Sequence, residues 1–332
     1  MFPKSIDNVP TIEMFDAIHD HLEGGLSQTW NIISRSNDPK MKDFDRNCPI
    51  SHIYKVDENY LYASVMCMKL PVCEWEDVDL KGRTLQEWVE FIREIENDLN
   101  NDLSVEEKLK MLYENEPTWN QGEDCFIIWA TLDCSNPEYV KKWNEMSLCP
   151  VHQSITEFSD IILRVAKDEP IDKERGKVSV SRLCSSLYPI SEPTPFYYLQ
   201  LKQFLEQGGK ISSITRILKA HQEPFMKEFC MSVQELRKNA RSDYEDKLFK
   251  LILNALYGKT IMDESRFCHS FFITDPKKLR KEMKDISGLE TLSFISPDMA
   301  FMMKKLPDFE FSIPVGVGFA VLGLSKWLVS RD

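Results

Sequence analysis

The chain has 332 residues, enough for two ordinary domains or one large irregular one, and its 42% hydrophobic and 28% charged residues are typical of a globular protein. No stretch reaches the ~18 apolar residues of a membrane span. The longest run, 313–324, is broken by Gly316, Gly318 and Gly323, and the N-terminus lacks the apolar core of a signal peptide. Nine cysteines without a C-x-x-C pair, and six histidines without an H-x-x-x-H pair, exclude a disulfide framework and a zinc ribbon and predict a reducing, intracellular setting. The net charge of −12 argues against a polyanion over the whole surface, but the charge is unevenly spread: residues 74–145 carry 19 acids and 7 bases, whereas 210–259 carry 10 bases and 6 acids. A polyanionic partner is expected only near the second stretch.

Residues 11–22 predict a short helix with Ile12, Phe15, Ile18, His19 and Leu22 along one side. It runs into Glu23-Gly24-Gly25, which suits either a close backbone approach or a plain helix-to-strand turn. Residues 51–57 predict a strand that delivers Asp57 into a turn, with a helix starting near Ala63. An acid at a strand end suits a divalent cation, and equally a helix cap. Residues 74–120 read as acidic and helical, with an amphipathic helix over 85–99, and Asp77 and Asp79 as a solvated turn. The apolar run 125–134 predicts a buried strand, and 168–181 a polar connection leading to a short strand. Residues 196–205 predict a helix ended by Gly208 and Gly209, 210–219 a strand, and 224–239 a helix. A basic helix is expected over 275–284 and strands near 291–296.

The segment from Ser242 holds the most information. Ser242 and Glu245 have the form of a capping box that starts a helix at Asp243. Leu248, Leu251, Ile252 and Leu256 form an apolar stripe. Lys250, Asn254 and Tyr257 recur at i, i+4 and i+7, so a cation, an amide and a phenol share a face before Gly258. By pattern alone this is also an ordinary amphipathic helix with a glycine C-cap. Arg237, Lys238 and Arg241 lie near the tip of the hairpin that it makes with helix 224–239.

Lys250-x-x-x-Asn254-Ala-x-Tyr257-Gly258 resembles motif B of family B DNA polymerases, K-x-x-x-N-S-x-Y-G. Val56-Asp57-Glu58 and Leu61-Tyr62 resemble motif A, and Ala63-Ser-Val-Met66 with Lys69-Leu-Pro71 is similar to the protein-primed branch, which includes phage, adenoviral and Maverick/Polinton-type transposon enzymes. Glu23-Gly24-Gly25-Leu26 falls where that branch has its Y-x-G-G-type element, and residues 314–326 resemble sequences just ahead of motif C.

The resemblance implies an α+β fold, with a right-hand palm of antiparallel sheet and helices plus helical-hairpin fingers. It divides the chain into a pre-palm segment 1–50, palm 51–75, an acidic terminal-protein-region-like insertion 76–190, palm 191–222, fingers 223–260 and palm continuation 261–332. It implies template-directed deoxynucleotide addition on two Mg2+ or Mn2+ ions. Asp57 and the Glu58 carbonyl would bind metal, and Tyr62 would exclude a 2′-hydroxyl. Lys250 would contact the triphosphate, with Lys238 and Arg241 as further candidates. Asn254 and Tyr257 would line the nascent pair, and Gly24, Gly25 and Gly258 would lie against DNA. The partners implied are DNA template and primer, dNTP and a terminal protein, with no membrane, at a nuclear or viral replication site.

The sequence departs from the family pattern in three places. Ala255 replaces a serine, Glu23 stands where a cation is usual, which is unfavourable beside phosphate, and the D-T-D-S of motif C does not occur. The expected molecule is thus an incomplete palm and fingers, inactive by itself. Two other readings fit the sequence: a transposon-derived remnant that binds DNA or nucleotide without chemistry, and an interaction protein built on the acidic helices.

Overall fold

The computed structural model describes residues 6–25, 35–53, 61–95, 122–137, 139, 149–155, 180–184, 190–262, 267–284, 288–305 and 313–329, of which 151–155 and 180–184 are described as backbone only. The described chain is mixed α+β. Its main sheet has the order β1-β6-β2-β5 and is antiparallel throughout: β1 (Leu70–Asp77), β2 (Asp124–Asp133), β5 (Ile190–Tyr197) and β6 (Lys210–Glu223). β3 (Val151–Ile155) and β4 (Val180–Cys184) form a separate pair.

β2 is rich in β-branched and aromatic residues and buries Ile127, Ile128, Trp129 and Ala130 in succession, the pattern of an inner strand covered on both faces. It lies within residues 76–190 in the chain, yet β5 and β6 flank it in the sheet. β6 begins directly after Gly208, whose φ of +95 only glycine adopts freely, and Gly209, where a Cβ would collide with the Phe204 ring.

β1 corrects the expectation of helix from residue 74. Leu70 and Val72 are buried, and the second half of the strand faces solvent. Its acids pair across to β6: Asp77 takes a bidentate contact from Arg216 at 2.7 and 2.9 Å, and Glu76 meets Lys219 at 3.4 Å. Asp77 is therefore an ion-paired strand residue rather than part of a solvated turn. Between Cys73 and Glu76 the register shifts and Glu74 takes φ 59, so a bulge turns the acids outward.

In chain order, the described helices up to residue 260 are α1 (Ile12–His19), α2 (Leu61–Met66), α3 (Leu85–Glu94), α4 (Tyr198–Glu206), α5 (Lys227–Lys238) and α6 (Asp243–Thr260). Thr11 caps α1 by accepting from the Met14 N–H at 3.2 Å, and Thr84 with Glu87 forms a capping box on α3. α4 starts later than predicted, because Phe196 and Tyr197 are the last residues of β5. Residues 51–53 are not in a strand, and the remainder of the predicted strand 51–57 lies outside the described residues. A second antiparallel sheet, of order β7-β9-β8, comprises β7 (Cys268–Ile273), β8 (Leu289–Ser296) and β9 (Met299–Lys305), with the basic helix α7 (Pro276–Lys284) against β7.

At the centre is α8 (Val315–Val329), apolar all round and buried over nearly its whole length. It packs against α1, α2, α4, α6, β1 and β5. Three glycines let these neighbours approach: Gly316 lies against the Trp75 indole, Gly318 against Thr260 and Ile261, and Gly323 against Tyr197. Among the described residues, no helix is long and apolar enough to cross a membrane.

Candidate functional site

α6 begins as predicted. Ser242 Oγ accepts from the Glu245 N–H at 3.2 Å, while Glu245 Oε2 accepts from the Arg241 N–H at 2.7 Å, one residue before the capping-box position. Asp243, Glu245 and Asp246 place negative charge in the first turn, where the helix dipole favours it. The helix does not stop at Gly258 but runs through it to Thr260. Gly258 is exposed, with nothing within 4 Å of where a Cβ would stand.

The buried stripe also differs from the expected one. Leu253 is buried, and Phe249, Ile252, Leu256 and Tyr257 pack against the core, whereas Leu248 and Leu251 are 39% and 62% exposed. This rotation turns Leu253 and Tyr257 toward the helices packed against α6, which are α5, α8 and α2.

Arg237 of α5 binds Asp246 of α6 through Nε and Nη2, at 2.6 and 3.3 Å, and closes the helical hairpin. Its guanidinium is thus engaged within the hairpin, while Lys238 and Arg241 are exposed at the tip. The Arg237 hydrogen bond, followed by the charges of Arg237, Lys250 and Lys247, holds the Asp246 carboxyl below its ordinary 3.8. A depressed folded-state value means that the bridge stabilises the hairpin above pH 3.8, and that this contribution is lost as pH falls through the lower value. Thermal midpoints of wild type and Asp246→Asn should therefore differ at neutral pH and converge well below pH 3.8. A gap that persists at low pH would show that the carboxylate is not the cause.

The structure brings two of the predicted residues into contact. Tyr62, in the first turn of α2, stacks on Tyr257 of α6 with ring centroids 4.6 Å apart and planes 6° from parallel. α2 is held from behind by buried Ala63, Val65 and Met66, and α8 packs against both helices. Burial first, and Tyr62 second, push the Tyr257 phenol up, so it stays neutral and can both donate and accept. Lys250, Asn254 and Gly258, spaced by four, are exposed along α6. From Lys250 to Tyr257 is about 10 Å along the axis, and from the Ser242 cap to Tyr257 roughly 20 Å, at 1.5 Å per residue.

Gly24 and Gly25 follow α1 and are exposed, with open space around both Cβ positions. Glu23 points inward and is buried. Its charge supports the protonated form of the half-buried Lys326 on α8, against the burial that pulls that lysine down. The expectation that Glu23 lies beside phosphate is therefore corrected: its side chain is buried and lines the same internal pocket as Lys326 of α8. Lys326, a lone cation in the otherwise apolar α8, was the sequence signal for this pair.

Asp57 and Glu58, the implied metal ligands, lie outside the described residues. Among the described residues no group of three or more His, Cys, Asp or Glu side chains converges to hold a metal ion.

No protein-family model matches the chain, and no curated relative does. Three solved structures of phi29 DNA polymerase are similar to it. The orthorhombic crystal form has 11% identity and a TM-score of 0.46, over 98% of this chain and 41% of that one. A post-translocation binary complex with primer-template DNA has 12% and 0.46, over 98% and 40%. A ternary complex with primer-template DNA and incoming nucleotide substrates has 12% and 0.44, over 98% and 41%. The chain thus spans about two fifths of the length of these structures.

Proposed function

We propose that this chain is the nucleotide-selecting part, palm and fingers, of a template-directed DNA polymerase of the protein-primed family B type. The carrying observation is the Tyr62–Tyr257 stack, which joins the segment resembling motif A to the helix resembling motif B. The exposed Lys250 and Asn254 beside it supply a cation and an amide on an open helix face. A sugar seated on the Tyr62 ring would meet its bulk at the 2′ position, and Asn254 and Tyr257 would line the nascent pair. Lys250, about 10 Å along the helix from Tyr257, is a better triphosphate contact than Lys238 or Arg241 at the hairpin tip. Gly258 and the Gly24-Gly25 pair offer bare backbone to DNA.

Asp57, with the Glu58 carbonyl, would hold Mg2+ or Mn2+, which when bound supplies charge stabilisation for phosphoryl transfer. The sequence contains no D-T-D-S to add a second carboxylate. This favours a narrower activity for these 332 residues: binding of DNA and nucleotide without extension.

Titration with dATP and ATP tests the reading. Wild type should prefer the deoxynucleotide by about tenfold or more, the scale at which a pocket rejects one added hydroxyl. Tyr62→Ala should remove the preference while still binding. Equal binding of both nucleotides by wild type, or an unchanged preference in Tyr62→Ala, would overturn the role of Tyr62. Primer extension with magnesium or manganese should stay at background. Robust extension that Asp57→Ala abolishes would refute the binding-only activity.

A further inference from the structure

The main sheet leaves a gap beside β6. β1 ends at Asp77, opposite Leu218, and the chain then leaves the sheet and returns as α3, which packs on β6. A cavity of about 210 Å³ lies between them. Leu80, Leu85 and Ile214 give it apolar walls, Ser212 of β6 adds a hydroxyl, and Arg83 and Trp88 also line it. Arg83 Cζ stands 4.8 Å from the centre of the Trp88 ring and 5.8 Å from that of Phe91. Trp88 is only 5% exposed, and its Nε1–H, which can donate but not accept, has no hydrogen-bond partner among the described residues.

We propose that this cavity is a binding site for a carboxylate carrying one compact apolar group, the chemistry of a peptide's last residue and of a short branched acid. A buried donor without a partner is destabilising, and an acceptor in the cavity relieves it. Stacking on the indole occupies a face of the Arg83 guanidinium and leaves its N–H edges free for the fork of a carboxylate. Arg83 has no ion-pair partner among the described residues. The Glu87 carboxylate, one turn on, is held by the Thr84 cap, where it accepts from the N–H at 2.6 Å and the hydroxyl at 2.9 Å.

Size and charge narrow the ligand. Pockets for drug-sized molecules begin at about 300 Å³, so this one is too small for a nucleotide. Residues 74–145 carry 19 acids and 7 bases, a field that repels phosphate esters and leaves room for a single negative charge on Arg83. The aliphatic walls favour an alkyl group behind that charge, where burial removes it from water.

The test needs neither DNA nor nucleotide, so this site and the polymerase reading stand or fall separately. The full chain, with isotope-labelled tryptophan, is titrated with N-acetyl-leucine and with isocaproate while its seven indole N–H signals are followed by NMR. The signal missing from Trp88→Phe should move downfield and saturate, with a Kd on the order of a millimolar for ligands of this size. The amide of N-acetyl-leucine should bind at least about tenfold more weakly than the acid. Arg83→Gln should weaken the acid by a similar factor, since either change removes the charge-assisted bond. Tighter binding of N-acetyl-leucine assigns the site to a peptide end, and tighter binding of isocaproate to a free acid. No indole shift with either acid at about ten times that concentration would overturn the proposal. So would equal binding of acid and amide, unchanged affinity in Arg83→Gln, or an equal response to inorganic phosphate. Arg83 is exposed in the loop before α3, so its variant keeps the fold and decides the question even if Trp88→Phe folds poorly.

Discussion

Gly318→Ala should lower the unfolding free energy by about 2–3 kcal/mol, the upper part of the range for an overpacked core. The added Cβ would meet the Thr260 carbonyl oxygen and Oγ1, each at 2.9 Å, and would collide with the Ile261 side chain. Helix propensity works the other way, since alanine is favoured over glycine by ~1 kcal/mol in a helix interior. Packing wins because a backbone carbonyl at the end of a helix cannot rotate aside as a side-chain tip can. Gly258→Ala is the matched control. It makes the same change in α6 with nothing within 4 Å, so the propensity term acts alone and stability should rise by about 1 kcal/mol. Urea denaturation followed by circular dichroism reads both. If Gly318→Ala proves as stable as wild type, the close approach of α8 to the end of α6 is not what fixes that helix.

The contrast between these glycines shows where sequence reading stops. The start of α6 was legible because Ser242 and Glu245 act within one turn, and local chemistry survives in a linear pattern. Its buried face was not. The helix is apolar on two adjoining faces, and the choice of Leu253 and Tyr257 over Leu248 and Leu251 was made by the helices packed against it, α5, α8 and α2. α8 itself gave no periodic signal, because a helix buried all round has no polar face to mark its turns. β1 was hidden for another reason. Its acids look like a solvated helix until Arg216 and Lys219, contributed by β6 from much later in the chain, are set opposite them. Glu23 was misjudged because Lys326, which lines the same pocket, lies at the far end of the sequence. Spacing within α6 could not have paired Tyr257 with Tyr62, which the structure stacks in parallel.

Lys250→Ala should weaken dNTP binding by about ten- to a hundredfold, the equivalent of about 1.5–3 kcal/mol for a hydrogen bond to a charged group. Its effect on stability should be small. Lys250 is exposed and its charge acts on Asp246 only after Arg237, so the fold should change by less than about 0.5 kcal/mol, with alanine's propensity offsetting the lost attraction. That separation makes the variant decisive, since a large loss of affinity at unchanged stability places the phosphate contact at this side chain. Lys259→Ala, also exposed on α6 but beyond the tyrosine stack, should bind as wild type does. Wild-type binding should weaken as salt rises, with a shallower dependence in Lys250→Ala because one phosphate contact is gone. The competing geometry puts the triphosphate at the hairpin tip, where Lys238 and Arg241 are exposed. Normal binding by Lys250→Ala together with a tenfold loss in Arg241→Ala would establish that arrangement. The nucleotide would then lie up to roughly 20 Å along the helix from Tyr62, too far for that ring to sense its sugar.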